Sequence, residues 1–116
     1  MIMDKDEFDA LLELAKKLAN AAGPRDDVLT AICHLLREEV PHYDWVGVYF
    51  ADNRKKVLNL GPYAGEPTEH ARIPFGKGVC GQVAESHETF VVQDVGEQDN
   101  YLACSPFVKS EIVVPI

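Results

Sequence analysis

The apolar residues of this chain change their spacing near residue 41, and this change constrains the fold more than any other feature of the sequence. Before it, apolar side chains recur every three or four residues, as on one face of an amphipathic helix. Asp4, with Glu7 three residues later, predicts the start of a helix over residues 4–22. Gly23-Pro24 separates it from a second helix that Pro41 ends. The two apolar stripes comprise Phe8, Leu11, Leu12, Ala15, Leu18 and Ala22, and then Val28, Leu29, Ile32, Leu35 and Leu36.

After residue 41 the pattern is that of strands. From Tyr43 to Phe50 both sets of alternating side chains are largely apolar, which indicates a strand covered on both faces. We predict a second strand over 56–63, a loop over 64–76 and a short helix from Gly78. A brief strand at 90–92, a polar loop over 94–109 and an apolar strand over 111–116 follow. Helices followed by an antiparallel sheet predict a single α+β domain over 1–116, with two helices in 4–40 and the sheet and site-bearing loops in 43–116.

The last predicted strand, E-I-V-V-P-I, coincides with the end of the sequence. Such a strand would leave an apolar face and a backbone edge uncovered. Two explanations are open: a partner chain covers the edge, or these residues are part of a longer domain. From the first we predict a homodimer.

Charge and composition exclude several classes of protein. The net charge is −8, which argues against a nucleic-acid partner because such proteins need a basic face. The amino terminus is charged from residue 4 onward, unlike a secretory signal, and no apolar run approaches the roughly 18 residues that a membrane span needs. We therefore expect a cytoplasmic protein with no membrane partner. Arg54-Lys55-Lys56 is typical of a solvated hairpin tip.

The three cysteines do not form a metal-binding pattern, since no Cys-x-x-Cys occurs, and we expect neither a zinc site nor a bound cofactor. Cys33 lies beside the stripe of the second helix and is predicted to be a small buried residue. Cys80, in Gly76-Lys77-Gly78-Val79-Cys80-Gly81, is either a buried residue or a thiol whose pKa the start of a helix and Lys77 would lower. Cys104 lies in a polar loop, where a purely structural role is less expected.

Several motifs occur in an order that resembles one known family. They are Trp45-Val46-Gly47-Val48-Tyr49, Leu60-Gly61-Pro62-Tyr63-x-Gly65, Arg72-Ile73-Pro74-x-Gly76-Lys77-Gly78-Val79-Cys80-Gly81, Asp94-Val95, Ala103-Cys104 and Ser110-Glu111-Ile112-Val113-Val114-Pro115. This ordered set, from about residue 43 to 116, resembles the GAF-domain free methionine-(R)-sulfoxide reductases. The resemblance implies a GAF-like antiparallel sheet with the amino-terminal helices on one face, and without the final strand and helix of the usual domain.

The resemblance also implies an activity, the reduction of free methionine-(R)-sulfoxide with thioredoxin or another dithiol as reductant. Cys104 resembles the cysteine that attacks the sulfoxide, and Glu111 resembles an acid that lines the site. Trp45 and Tyr49 resemble the aromatic pair that receives the methyl end of the substrate, and Cys80 resembles a second family cysteine. A thiolate, a second thiol, an acid and an apolar slot are the groups that this chemistry needs.

Two positions depart from the family pattern. The family usually carries a further, resolving cysteine before Arg-Ile-Pro, and that position falls on or near His70, so Cys80 would have to resolve instead. An Asp-x-Asp pair on a final strand would follow Ile116. A different class of function stays open: a GAF module that binds a small molecule or senses redox state without turnover, with Trp45 and Tyr49 as core residues and Glu111 as a surface carboxylate.

Overall fold

A computed structural model of the chain describes residues 3–92 and 110–116. The chain divides into two compact units. One comprises Met1–Val48 together with Gly61–Glu66, and the other comprises Tyr49–Leu60 together with Pro67–Ile116. The first two strands of the chain each run from one unit into the other.

The first unit is built on two packed helices, α1 over Lys5–Ala19 and α2 over Arg25–Glu39. The predicted start of α1 is confirmed, because the Asp4 carboxylate accepts a hydrogen bond from the backbone N–H of Glu7 at 2.8 Å. α1 ends at Ala19 rather than at residue 22. The Asn20 backbone and side-chain amides both donate to the Lys16 carbonyl, which satisfies that orphan acceptor and closes the helix.

A three-stranded sheet has the order β1-β2-β3, formed by Val46–Asp52, Val57–Ala64 and Arg72–Pro74. β3 runs antiparallel to β2, with Leu58 opposite Ile73. The prediction of a loop over 64–76 was wrong for these three residues. β3 is too short to show an alternating pattern, since Ile73 is its single buried residue and its neighbours are exposed.

The second unit contains a third helix, which packs on a pair of antiparallel strands. α3 spans Gly78–Ser86, as the sequence predicted, and β4 (Phe90–Val92) pairs antiparallel with β5 (Glu111–Val113). Their core cluster comprises Val79, Val83 and Val92, with Phe90 and Val113 packed against it. β5 is three residues shorter than predicted. Beyond it, Val114 and Ile116 are exposed among the described residues.

Among the described residues, no helix combines the length and the apolar character that crossing a bilayer requires.

Candidate functional site

Trp45 is held from several sides within the first unit. Its indole ring stacks on Tyr63, with ring centroids 5.6 Å apart and an interplanar angle of 16°. The indole N–H donates to the Glu66 carbonyl at 3.0 Å. The ring lies directly over Gly47, where an added Cβ would be 2.2 Å from the ring, and against Gly65, where it would be 2.8 Å away. The two glycines therefore provide the space that this ring orientation needs.

This setting identifies supporting residues that the sequence reasoning missed. Tyr63 stacks on Trp45, and Gly65 has a φ of +134°, which few other residues adopt. Both lie in the Leu60-Gly61-Pro62-Tyr63-x-Gly65 motif, so the motif already contained these supporting residues. The structure shows that they contact the Trp45 ring.

Tyr49 belongs to the second unit, and its phenol group is used to hold a loop. The hydroxyl donates to the His70 carbonyl at 2.8 Å. The backbone N–H of His70 donates to the Thr68 hydroxyl at 3.1 Å. The Leu60 N–H donates to the Ala71 carbonyl at 2.8 Å. Two of these contacts join the segment that contains His70 to β1 and β2. By the family resemblance, the usual resolving cysteine would fall on or near His70.

The glycines around Cys80 have structural explanations. Gly76 and Gly78 have φ values of +87° and +62°, which favour glycine. A Cβ on Gly81 would lie 2.7 Å from the Pro74 carbonyl oxygen, so only glycine allows α3 to approach that backbone. Cys80 itself is the third residue of α3 and is half-buried. The turn thus places this thiol in the first turn of α3.

Glu111 is the first residue of β5 and lies directly opposite Val92, a member of the core cluster. Two residues along the same strand, Val113 packs against that cluster, which includes Val79 and Val83 of α3. Residues two apart on a strand share a face. Glu111 therefore lies on the face of the β4–β5 pair that meets α3, and it is half-buried there.

The structure thus gathers some of the predicted site residues and not others. Cys80 and Glu111 belong to two elements that contact each other within the second unit. Tyr49 belongs to the same unit, and Trp45 to the first. Cys104, the predicted attacking residue, lies outside the described residues.

Cys33 does not belong to this constellation. It is 2% exposed in the first unit, and its thiol points to the Pro62 carbonyl with a sulfur–oxygen distance of 3.8 Å. Burial raises the pKa of the Cys33 thiol above its ordinary value of 9.0. The predicted structural role is confirmed. Across residues 3–92 and 110–116, no cluster of three or more His, Cys, Asp or Glu side chains could hold a metal ion.

Comparison with known proteins relates this geometry to characterised families. No protein-family model matches the chain. Over 86 residues it is 40% identical to the free methionine-R-sulfoxide reductase of Saccharomyces cerevisiae, a match that covers 73% of this chain and 47% of the yeast protein. The chain spans about half the length of several curated relatives that it matches.

Solved structures give the same result. The free methionine-R-sulfoxide reductase of Neisseria meningitidis, in complex with its substrate, superposes with a TM-score of 0.84 and 35% identity, over 100% of this chain and 69% of that one. A putative GAF sensor protein from Burkholderia vietnamiensis superposes with a TM-score of 0.87 and 32% identity, covering 97% and 70%. The α+β GAF-like fold is confirmed. The chain belongs to the GAF-domain free methionine-(R)-sulfoxide reductase family.

Proposed function

We propose that this chain reduces free methionine-(R)-sulfoxide by thiol chemistry, with Cys104 attacking, Cys80 resolving and thioredoxin or another dithiol as the reductant. One observation carries the proposal: the helix that bears Cys80 and the strand that bears Glu111 contact each other, with Glu111 on the shared face. An acid and a thiol are thereby supplied to one region of the second unit, in a family whose named members include such reductases.

In the first step the Cys104 thiolate takes the sulfoxide oxygen. The sulfur–oxygen bond of the substrate breaks, the substrate leaves as methionine, and Cys104 becomes a sulfenic acid. The departing oxygen needs a proton, for which Glu111 is the candidate donor. Positioned acids of this kind contribute about 10²–10⁴-fold in rate. The aromatic rings of Trp45 and Tyr49 are the candidates for receiving the methyl end of the substrate.

In the second step a thiol condenses with the sulfenic acid, releasing water and forming a disulfide. Cys80 suits this role better than Cys33, since it is half-buried at a helix amino end, whereas Cys33 is enclosed in the first unit. An external dithiol then reduces the disulfide by exchange, becomes oxidised itself and returns both cysteines to thiols. No bound cofactor is required by this scheme.

The proposal is tested by following methionine formed from the separate (R) and (S) sulfoxides of free methionine, with the thioredoxin system present. We expect turnover of the (R) form alone. Cys104→Ser should abolish it, and Cys80→Ser should block recycling by thioredoxin after the first turnover. Cys33→Ala is the matched control, because it removes a thiol outside the proposed site and should leave the rate unchanged. A Cys104→Ser variant with full activity would refute the assignment.

A sensor without turnover is the second candidate, favoured by the similarity to the putative GAF sensor of B. vietnamiensis. A sensor and a reductase differ in one measurable result. A sensor would bind its ligand without producing methionine, even with reductant in excess and all cysteines reduced. A cytoplasmic location and a homodimer, both predicted from the sequence, are compatible with either candidate.

A further inference from the structure

A depression on the second unit is lined by none of the residues of the proposed reductase chemistry. It forms where the β1–β2 turn, the end of β3 and the carboxyl end of α3 meet, and it has a volume of about 350 Å³. Its lining residues come from all three segments: Asn53, Lys56, Phe75, Ala84, Glu85 and His87.

The depression is built on backbone contacts that fix its two sides. The Asp52 carboxylate accepts hydrogen bonds from the backbone N–H groups of Arg54 and Lys55, which shapes the turn. The Phe75 N–H donates to the Lys56 carbonyl at 2.9 Å, and the Lys56 ammonium lies 5.9 Å from the centre of the Phe75 ring. These two contacts attach the β1–β2 turn to Phe75.

The lining presents charges of opposite sign on different segments. Lys56 comes from the turn, and Glu85 comes from the last turn of α3, whose carbonyl groups add negative potential. Among the described residues, neither side chain takes part in an ion pair. A purely anionic ligand would meet Glu85 and a purely cationic one would meet Lys56, whereas a ligand with both charges matches both.

The backbone supports a role for these particular side chains. Among the described residues, two that are not glycine have a positive φ, Lys56 at 57° and His87 at 60°, and both line this depression. Glycine fits such positions without strain. Residues held in unfavourable backbone regions cluster at functional sites, so this coincidence indicates that the lysine and histidine side chains serve a purpose here.

We propose that this depression binds a small zwitterion with an aliphatic body, of the α-amino acid class. Its carboxylate contacts Lys56 and the Asn53 amide, and its ammonium group contacts Glu85. Its aliphatic part lies on the Phe75 ring and the Ala84 methyl group. This site uses none of the residues of the proposed reductase chemistry, so it can be tested whether or not the reductase proposal holds.

The test compares three probes that share a five-carbon or six-carbon chain: L-norleucine, hexanoate and pentylamine. Binding is followed by amide chemical shifts of the ¹⁵N-labelled chain. We expect L-norleucine to shift the amides of 53–56 and 84–87, and to bind at least about tenfold more tightly than either single-charge probe, because each charged contact is worth about one factor of ten or more. Equal affinities for the three probes would overturn the zwitterion assignment.

Charge variants locate the contacts. Lys56→Gln and Glu85→Gln should each weaken L-norleucine binding about tenfold or more. Lys55→Gln is the matched control, since it removes a cation from the same turn that does not line the depression, and it should leave the affinity unchanged. Shifts that leave the amides of 53–56 unchanged and are insensitive to these variants would place the probe elsewhere and refute the proposal.

Glycine variants separate binding from folding. Lys56→Gly and His87→Gly relieve the positive φ and should each raise Tm by roughly 3 °C, while Lys56→Gly weakens L-norleucine binding. A purely structural role for Lys56 predicts a different result: a higher Tm with unchanged affinity. That result would overturn the proposal.

Discussion

Gly47→Ala is the substitution whose effect follows most directly from the geometry around Trp45. The new Cβ would lie 2.2 and 2.5 Å from two ring carbons of the indole. Carbon atoms in contact are about 3.5–4.0 Å apart, so the ring would have to move by roughly 1 Å or more. It cannot do so and keep both its stacking on Tyr63 and its hydrogen bond to the Glu66 carbonyl.

The size of the effect follows from the contacts that are lost. An aromatic pair contributes about 0.5–1.5 kcal/mol, and a hydrogen bond contributes about 0.5–1.5 kcal/mol. Replacing glycine in a strand regains about 0.5 kcal/mol. We therefore expect Gly47→Ala to lower the free energy of unfolding by about 1.5 kcal/mol, which is a decrease of about 0.5–1.5 M in the urea midpoint.

The assay uses the single tryptophan of the chain, so its fluorescence reports on this site alone. Urea unfolding should show the lower midpoint, and the emission of the folded variant should shift to longer wavelength as the ring leaves Tyr63. A double-mutant cycle supplies the control. In a Trp45→Leu background, followed by circular dichroism, Gly47→Ala should change the stability by less than about 0.5 kcal/mol. The same loss in both backgrounds would refute the steric explanation.

Three further predictions concern the core, a thiol and the assembly. Val79→Ala should lower the free energy of unfolding in urea by about 2 kcal/mol, because it removes two buried methyl groups. The control Val91→Ala, on the exposed face of β4, should change it by less than about 0.5 kcal/mol. Equal effects of the two substitutions would contradict the assigned core. Urea unfolding of the wild type and of Cys33→Ala should give a stability difference that is constant below pH 9.0 and shrinks as the pH rises above it, because burial raises the folded-state pKa of Cys33. A constant difference up to about pH 10.5 would contradict burial of that thiol. Light scattering should give about twice the 12.9 kDa of one chain, and a monomer mass would contradict the predicted homodimer.

The sequence predicted the elements whose signals are local. Apolar spacing and the Asp4 cap predicted α1, and the glycines before Cys80 predicted the turn into α3. β3 was missed, because a three-residue strand with one buried side chain, Ile73, has no periodicity to recognise. Its existence depends on pairing with β2, which is a tertiary effect.

The candidate site shows the same division. The residue types of the site were accessible from the ordered motifs, since they include Trp45, Cys80 and Glu111. The contacts that support these residues could not be predicted from the sequence. The stacking of Trp45 on Tyr63 joins residues 18 positions apart, and the α3–β5 contact joins residues about 30 apart. Long-range contacts of this kind leave no spacing signal in one sequence. The depression at Lys56 was hidden for the same reason, since its hairpin tip has the composition of an ordinary solvated turn.

The central claim is that Cys104 and Cys80 together reduce free methionine-(R)-sulfoxide. A single-turnover measurement without any reductant tests it most directly: fully reduced protein is mixed with the (R) sulfoxide, and methionine and the disulfides are then quantified by mass spectrometry. We predict one methionine per chain and a Cys80–Cys104 disulfide. Folded protein that yields no methionine, with both cysteines still reduced, would contradict the account.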